Sequence, residues 1–423
     1  MPKIKNIIAR EILDSRGEPT VEVKIFLDNG IEETASVPAG ASKGENEAVE
    51  LRDNDLSRFN GKGVLSACFN IEKIISPALK NFEITKLKEI DKKLIELDGT
   101  ENKSKLGANS ILACSLVCAK AGAKSVNLPL FKYLREIFDL KIKNYQFPLP
   151  LFNLINGGRH GFSNLDFQEF FVIFRKKEKI SKIIQRAVEF YFLLKKIVQK
   201  EIGIFGVGDE GGIVAPFKNN KEAIEILIKT SKKIGYRFDE EINFGLDCAS
   251  SEFYRQKENI YFFEKRKIKT ENLIKIYKDL VKKYHLSLLE DPLHQNDFLN
   301  WSRLKKDLLK IKKDFILVGD DLFVTNLKRL KKGIEFDSAN GIIIKLNQIG
   351  TISETIECIK LAKKEKYKVI ISHRSGETNE TFIADLALAV NADFIKAGAP
   401  NRGERIVKYN RLMEIEKILE RNL

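Results

Sequence analysis

Six short apolar runs in this chain each end on a residue that can carry charge: Phe244-Gly245-Leu246-Asp247, Leu286-Ser287-Leu288-Leu289-Glu290, Ile316-Leu317-Val318-Gly319-Asp320, Gly341-Ile342-Ile343-Ile344-Lys345, Val369-Ile370-Ile371-Ser372-His373 and Phe394-Ile395-Lys396. An ammonium set among isoleucines carries a desolvation penalty that pairing or a lowered pKa relieves, and a lysine with a lowered pKa is a base. Asp247, Glu290 and Asp320 offer oxygen ligands suited to a hard divalent ion, and a set without cysteine or histidine favours Mg2+ over zinc. Lys345, Lys396 and the Arg374 of His373-Arg374-Ser375-Gly376-Glu377-Thr378 supply cationic groups for a substrate with several negative charges, such as a phosphorylated carboxylic acid. Neighbouring lysines depress each other's pKa, so one of them is expected to act as a neutral base near pH 7. Glu169 interrupts the aromatic run from Phe167 to Phe174, and Glu210 is bracketed by glycines in Gly208-Asp209-Glu210-Gly211-Gly212. Both are expected in partly dry positions, as an acid pair of which one can stay protonated and donate. Base, acid and metal together are the equipment for removing a proton beside a carboxylate and expelling a leaving group.

The elements that must position these groups follow from their spacing. The six run ends lie 23 to 43 positions apart, room for a strand, a helix and two loops, which is the rhythm of parallel βα units. Closed into a barrel, such units bring the C-terminal strand ends to one face, where residues distant in the chain share a pocket. Ahead of them, the alternation from Pro19 to Leu27, the turn Asp28-Asn29-Gly30 and a second run ending at Val37-Pro38 predict a β meander. Ala39-Gly40-Ala41-Ser42-Lys43-Gly44 reads as a small-residue loop able to close over a ligand, and Ile71 to Lys124 as helical. The fold predicted is α/β overall: an α+β unit over 1–138, then an α/β barrel over 139–423 that carries the site. Ile180 to Lys200 is predicted helical and Arg402 to Leu423 a closing helix. His160 follows a glycine turn and is expected to be exposed in a loop. Gly206-Val207-Gly208-Asp209-Glu210-Gly211 matches the dinucleotide fingerprint, but Ile213-Val214-Ala215-Pro216 continues extended into proline where a helix would have to open, and two acids would face the pyrophosphate.

With 423 residues, 43% hydrophobic and 31% charged, the chain has the profile of a soluble globular protein of two or three domains. No apolar run is long enough to span a bilayer and the first residues lack a signal segment, so no membrane association and a cytoplasmic location are expected. The five cysteines form no CxxC unit and read as buried thiols of a reducing compartment. The 73 Lys+Arg exceed the 59 Asp+Glu, giving a net charge of +14. An anionic partner would account for that excess, but amphipathic lysine-rich helices with solvated faces do so more simply, as no interleaving of aromatic and basic residues accompanies them.

Read in order, the motifs resemble those of the enolases over nearly the whole chain. The resemblance rests on Glu11-Ile12-Leu13-Asp14-Ser15-Arg16-Gly17, Gly40-Ala41-Ser42, Leu106-Gly107-Ala108-Asn109, Asn156-Gly157-Gly158 with His160, Gln168-Glu169-Phe170, Gly208-Asp209-Glu210-Gly211-Gly212, Leu289-Glu290-Asp291-Pro292, Gly319-Asp320-Asp321, Lys345-Leu346-Asn347-Gln348-Ile349-Gly350, Ser372 to Thr378, and Lys396-Ala397-Gly398-Ala399-Pro400. It implies the reversible dehydration of 2-phosphoglycerate to phosphoenolpyruvate in glycolysis, in a barrel whose second strand runs antiparallel. By the same resemblance Lys345 takes the C2 proton and Glu210 protonates the departing hydroxyl. Asp247, Glu290 and Asp320 hold a first Mg2+, and Ser42 helps hold a second at the phosphate. Arg374 and Ser375 bind the phosphate, Lys396 the carboxylate, and His160, Glu169 and His373 line the pocket. Loops around Ser42, His160 and Ser250-Ser251 would close to exclude water. Three departures stand out: Ala39 for the usual serine, Lys43 for threonine and Ala397 for threonine. Glu414 stands where the family often has an arginine that pairs with an acid corresponding to Glu22 across a dimer interface, so the expected homodimer needs that contact rebuilt. The alternative function is an enolase-like scaffold whose basic surface binds a nucleic acid or a host protein.

Overall fold

The computed structural model describes residues 1–40, 44, 46–161, 163–175 and 178–421. The chain opens with three antiparallel strands, β1 (Ile4–Leu13), β2 (Pro19–Leu27) and β3 (Glu32–Ser36), in the order β1-β2-β3. The turn between β2 and β3 places Gly30 at φ +86°, a conformation that favours glycine. The central strand alternates inward valine and isoleucine with partly exposed polar residues, and its buried face packs on the helix Ala108–Ser125. That helix carries a near-continuous run of small and aliphatic residues and is buried on every face from Ala108 to Ala119. The expected meander and long helix are therefore present, with β1 as an additional strand ahead of Pro19. The helical stretch expected from Ile71 to Lys124 is broken into shorter pieces, including Leu87–Asp98, before the long helix begins.

The rest of the chain closes eight strands into a barrel: β4 (Leu149–Asn156), β5 (Glu169–Phe174), β6 (Ile242–Asp247), β7 (Leu288–Glu290), β8 (Ile316–Gly319), β9 (Gly341–Ile344), β10 (Lys368–Ser372) and β11 (Phe394–Lys396). Parallel pairing of β11 with β4 completes the ring. β5 runs antiparallel to both β4 and β6, and the other neighbours are parallel. Leu151, Phe171, Ile173, Leu288, Val318, Ile343, Ile370 and Phe394 fill the lumen as one apolar cluster. The barrel is thus a packed core and the site has a rigid base. Among the described residues no single helix is long and apolar enough to cross a membrane. The closing helix runs Gly403–Arg421, and the predicted Ile180 helix spans Ile180–Glu201.

Candidate active site

One cavity collects side chains from all round the barrel: His160, Glu169, Glu210, Asp247, Asp320, Lys345, His373, Arg374, Ser375 and Lys396 line it, with Gln168, Glu252, Asp291, Asp321 and Glu47. Five of the six apolar runs deliver their terminal residue to it directly. Glu290 does not line the cavity and joins the cluster through Lys396. Ser42 and Lys43 lie outside the described residues.

Lys396 is the hub of one wall. Its Nζ lies 3.0 Å from Glu169 Oε2, 3.1 Å from Asp247 Oδ2 and 2.9 Å from Glu290 Oε1, and 5.1 Å from the centre of the Phe171 ring in the lumen. Burial pulls its pKa down, but Asp247, Glu169 and Glu290 outweigh burial and hold it well above the usual lysine value. Lys345 follows β9 with its backbone still extended, so it shares a face with Ile343 of the lumen. Its Nζ bonds Asp320 Oδ2. Here the neighbouring carboxylate works against the lowered pKa expected from the sequence. Burial lowers the Lys345 pKa and Arg374 and Lys396 lower it too, yet Asp320 is the stronger neighbour and the net shift is upward.

Glu169 also belongs to a second group of side chains, a proton network with His160, Glu210 and His373. His160 is 8% exposed, not the surface residue expected after a glycine turn. Its Nδ1 lies 3.5 Å from both Glu169 Oε1 and Glu210 Oε2. Glu169, at the start of β5, and Glu210, from the glycine-bracketed loop, face it inside the fold, which is why the glycine turn alone misleads. Burial opposes a charge on His160, but Glu210 and Glu169 outweigh burial and raise its pKa to about 10. Glu169 is pushed up to about 7 by burial and by Glu210. Burial acts on Glu210 as well, yet His160 and His373 outweigh it and hold Glu210 well below the usual carboxylate range. Glu210 Oε2 accepts from Asn153 Nδ2 at 2.9 Å, and its Oε1 lies 3.4 Å from His373 Nε2. His373 is lowered to about 4 by burial, with the Arg405 cation adding to the effect. Arg374 Nη1 donates to Glu47 Oε2 at 2.9 Å and to Asn347 Oδ1 at 3.0 Å.

Glu290 Oε2 is buried without a hydrogen-bond partner. An orphaned carboxylate oxygen beside the carboxylates of Asp247 and Asp320 is a donor set that fits a hard divalent cation. The three carboxylates are not drawn into one tight cluster: Lys396 bridges Asp247 and Glu290, and Lys345 holds Asp320. Among the described residues, the groups whose ligand atoms lie within 4.8 Å of one another are Asp291 with Asp320 and Asp321, and His160 with Glu169 and Glu210. Asp291, of the Leu289-Glu290-Asp291-Pro292 motif, accepts the backbone N–H groups of Asp320 at 3.0 Å and Asp321 at 2.7 Å.

Three further contributors escape the sequence reading. Asn153 left a signal, a polar residue inside an otherwise apolar β4. Glu47 and Arg405 left none, for each sits in a stretch rich in ordinary charges. Of the departures, Ala39 is buried and exchanges backbone hydrogen bonds with Gly376 at 2.8 and 2.9 Å, and Ala397 is buried. Glu22 pairs with Arg10 at 2.6 Å and Glu414 with Arg411 at 2.8 Å, so each acid is neutralised within its own chain.

Two family models match the chain. The model of the family described as "Enolase, N-terminal domain" matches residues 4–134, and that described as "Enolase, C-terminal TIM barrel domain" matches residues 144–422. The enolase of Elusimicrobium minutum is 47% identical over 419 residues, covering 99% of this chain and 97% of its own. Those of Methanocaldococcus jannaschii and Methanopyrus kandleri are each 46% identical, covering 99% of this chain and 96% of their own. With two family models spanning both units, relatives of this identity end to end and a pocket of acids, lysines and histidines at the barrel mouth, the chain belongs to the enolase family, the hydro-lyases that interconvert 2-phosphoglycerate and phosphoenolpyruvate.

Proposed function

We propose that Lys345 is the base that takes the C2 proton and Glu210 the acid that protonates the departing C3 hydroxyl. The observation that carries this assignment is that both line one cavity with different partners, Lys345 after β9 beside Asp320 and Glu210 between His160 and His373. Lys396 orients the substrate carboxylate, and Arg374 with Ser375 receives the phosphate. His160, Glu169 and His373 set the proton inventory around Glu210. Glu169, with its pKa near neutrality, stores a proton that His160 can relay. Asp247, Glu290 and Asp320 would hold a divalent cation, taken as Mg2+. Such an ion supplies positive charge for the growing negative charge of the substrate carboxylate and takes carboxylate charge away from the lysines. A second Mg2+ at Ser42 and the phosphate completes the proposal, together with a homodimer, a cytoplasmic location and a unit boundary at 138–139. The alternative binding role gains no support from the relatives, whose names give the enzyme alone.

The test is the growth of ultraviolet absorbance from 2-phosphoglycerate, with Mg2+ and with chelator, for the wild type and for Lys345→Ala. Magnesium-dependent product that falls by about 10²–10⁴-fold in the variant supports Lys345 as base. Folded wild-type protein that gives no product defeats the reading. Light scattering at micromolar concentration decides the dimer, since a monomer mass refutes it.

A further inference from the structure

The closing helix Gly403–Arg421 sends three long side chains from one face into the back of the site, Arg405, Lys408 and Tyr409, at positions i, i+3 and i+4. Lys408 Nζ donates to Glu377 Oε2 at 2.7 Å, and the Tyr409 hydroxyl to the Gly398 carbonyl at 2.6 Å. Arg405 reaches further. Its side chain is fully buried, and its guanidinium donates to the carbonyls of Arg374 at 2.6 Å, Ser375 at 2.5 Å and Asp209 at 3.0 Å. The same group lies 2.7 Å from Nδ1 of His373. One side chain therefore ties the loop proposed for phosphate to the loop that carries Glu210.

A guanidinium has donors and no acceptor. The imidazole nitrogen 2.7 Å away must offer a lone pair, so the ring cannot be an imidazolium while that contact stands. The single proton of the neutral ring is left on Nε2, facing Glu210 Oε1 at 3.4 Å. We propose that Arg405 is a positioning residue that fixes His373 as the neutral Nε2–H tautomer and makes it a donor, never an acceptor, toward Glu210. The charged groups around His373 are Glu210 from the glycine-bracketed loop, Arg405 from the closing helix and Glu377 from the loop after β10. Glu210 Oε2 faces Asn153, which can only donate its amide hydrogens, and His160 Nδ1 at 3.5 Å. His160 is then the one imidazole able to exchange a proton with Glu210. The tautomer follows from Arg405 alone, while its catalytic consequence rests on the proposed role of Glu210.

The chain holds four histidines, few enough for their ring nitrogens to be resolved by nitrogen-15 NMR of the full-length protein, with His373 assigned by loss of its signals in His373→Gln. The expected wild-type spectrum at neutral pH has a protonated Nε2 and an unprotonated, hydrogen-bonded Nδ1. Arg405→Met should mix the tautomers or protonate the ring and lower kcat by at least about tenfold, and Arg405→Lys, which keeps donor and charge, should restore the wild-type ring signals and most of the rate. A wild-type ring protonated on Nδ1 overturns the proposal even if Arg405→Met fails to fold. Unchanged His373 signals in a folded Arg405→Met overturn it as well, because Arg405 would then only brace the loops. An enzyme that shows the expected tautomer but makes no phosphoenolpyruvate separates failure of the proposed reaction from failure of this inference.

Discussion

Glu47 Oε2 lies 2.9 Å from Arg374 Nη1, with both side chains almost wholly buried, so a carboxylate from the N-terminal unit sits on the guanidinium assigned to the substrate phosphate. A phosphate arriving at Arg374 must share it with that carboxylate, and like charges at this range in a low-dielectric pocket repel strongly. Glu47→Gln removes the repulsion and leaves Arg374 its bond to Asn347. Inorganic phosphate should bind the variant about five- to tenfold more tightly, while Tm falls by a few degrees because a buried charge has lost one of its ion-pair partners. Calorimetric titration with phosphate decides it. Weaker binding would mean that Glu47 aims Arg374 and does not compete with the ligand.

Gly376 exchanges two backbone hydrogen bonds with Ala39 and joins the first unit to the loop of Arg374 and Ser375. A Cβ there would lie 2.1 Å from Asp14 Oδ2 and 2.9 Å from the Ala39 carbonyl. Asp14 cannot simply yield, because its Oδ1 accepts the backbone N–H groups of Arg16 and Glu18 at 2.8 and 2.9 Å. Gly376→Ala should therefore cost about 1–3 kcal/mol and raise KM several-fold by shifting the phosphate loop. Urea denaturation and steady-state kinetics measure the two effects. Unchanged values in both would show that the bridge tolerates an ångström of movement.

Ile343 fills the lumen on the same strand face as Lys345. Ile343→Ala should destabilise the barrel by about 2–5 kcal/mol, the range for aliphatic truncation in a rigid core. If the lumen is the base on which Lys345 rests, kcat should fall more than KM rises. A proportionate change in both would place the base elsewhere.

The barrel mouth was legible because a buried strand must end where its first chargeable residue meets solvent or a partner, and Asp247, Asp320, Lys345, His373 and Lys396 all mark such ends. Strand direction was not legible from pattern. Every residue of β5 is buried, so no alternation distinguishes its faces, and only the family resemblance supplied its antiparallel course. β1 failed to register because Ile8 and Leu13 face outward, which breaks the two-residue period. Burial of His160 and the upward shift of Lys345 depend on Glu169, Glu210 and Asp320, neighbours brought in by the fold and invisible to a local window. Arg405 reads on paper as one more charge in a charge-rich closing helix, and only the helix's docking turns it inward.

Asp91 couples stability to pH far from the site. It is fully buried where the helix Leu87–Asp98 meets the helix Ala108–Ser125 and the barrel helix Ile352–Lys364. Its Oδ1 accepts from Ser115 Oγ at 2.6 Å, and its Oδ2 from the backbone N–H and hydroxyl of Ser353 at 2.9 and 2.6 Å. Burial raises its pKa to about 6 even though these hydrogen bonds favour the anion. An aspartate in the unfolded chain ionises near 3.9, so between about pH 4 and pH 6 the folded state binds more protons than the unfolded one, and stability falls as pH rises. The loss approaches about 3 kcal/mol by neutral pH and is constant above it. Asp91→Asn cannot titrate. The stability of wild type minus variant, followed by denaturant unfolding, should therefore decline from pH 4 to pH 6 and be flat from pH 7 to pH 8. A difference flat over the whole range would mean that Ser115 and Ser353 keep Asp91 ionised in its buried place, and that three hydrogen bonds there outweigh the cost of burying the charge.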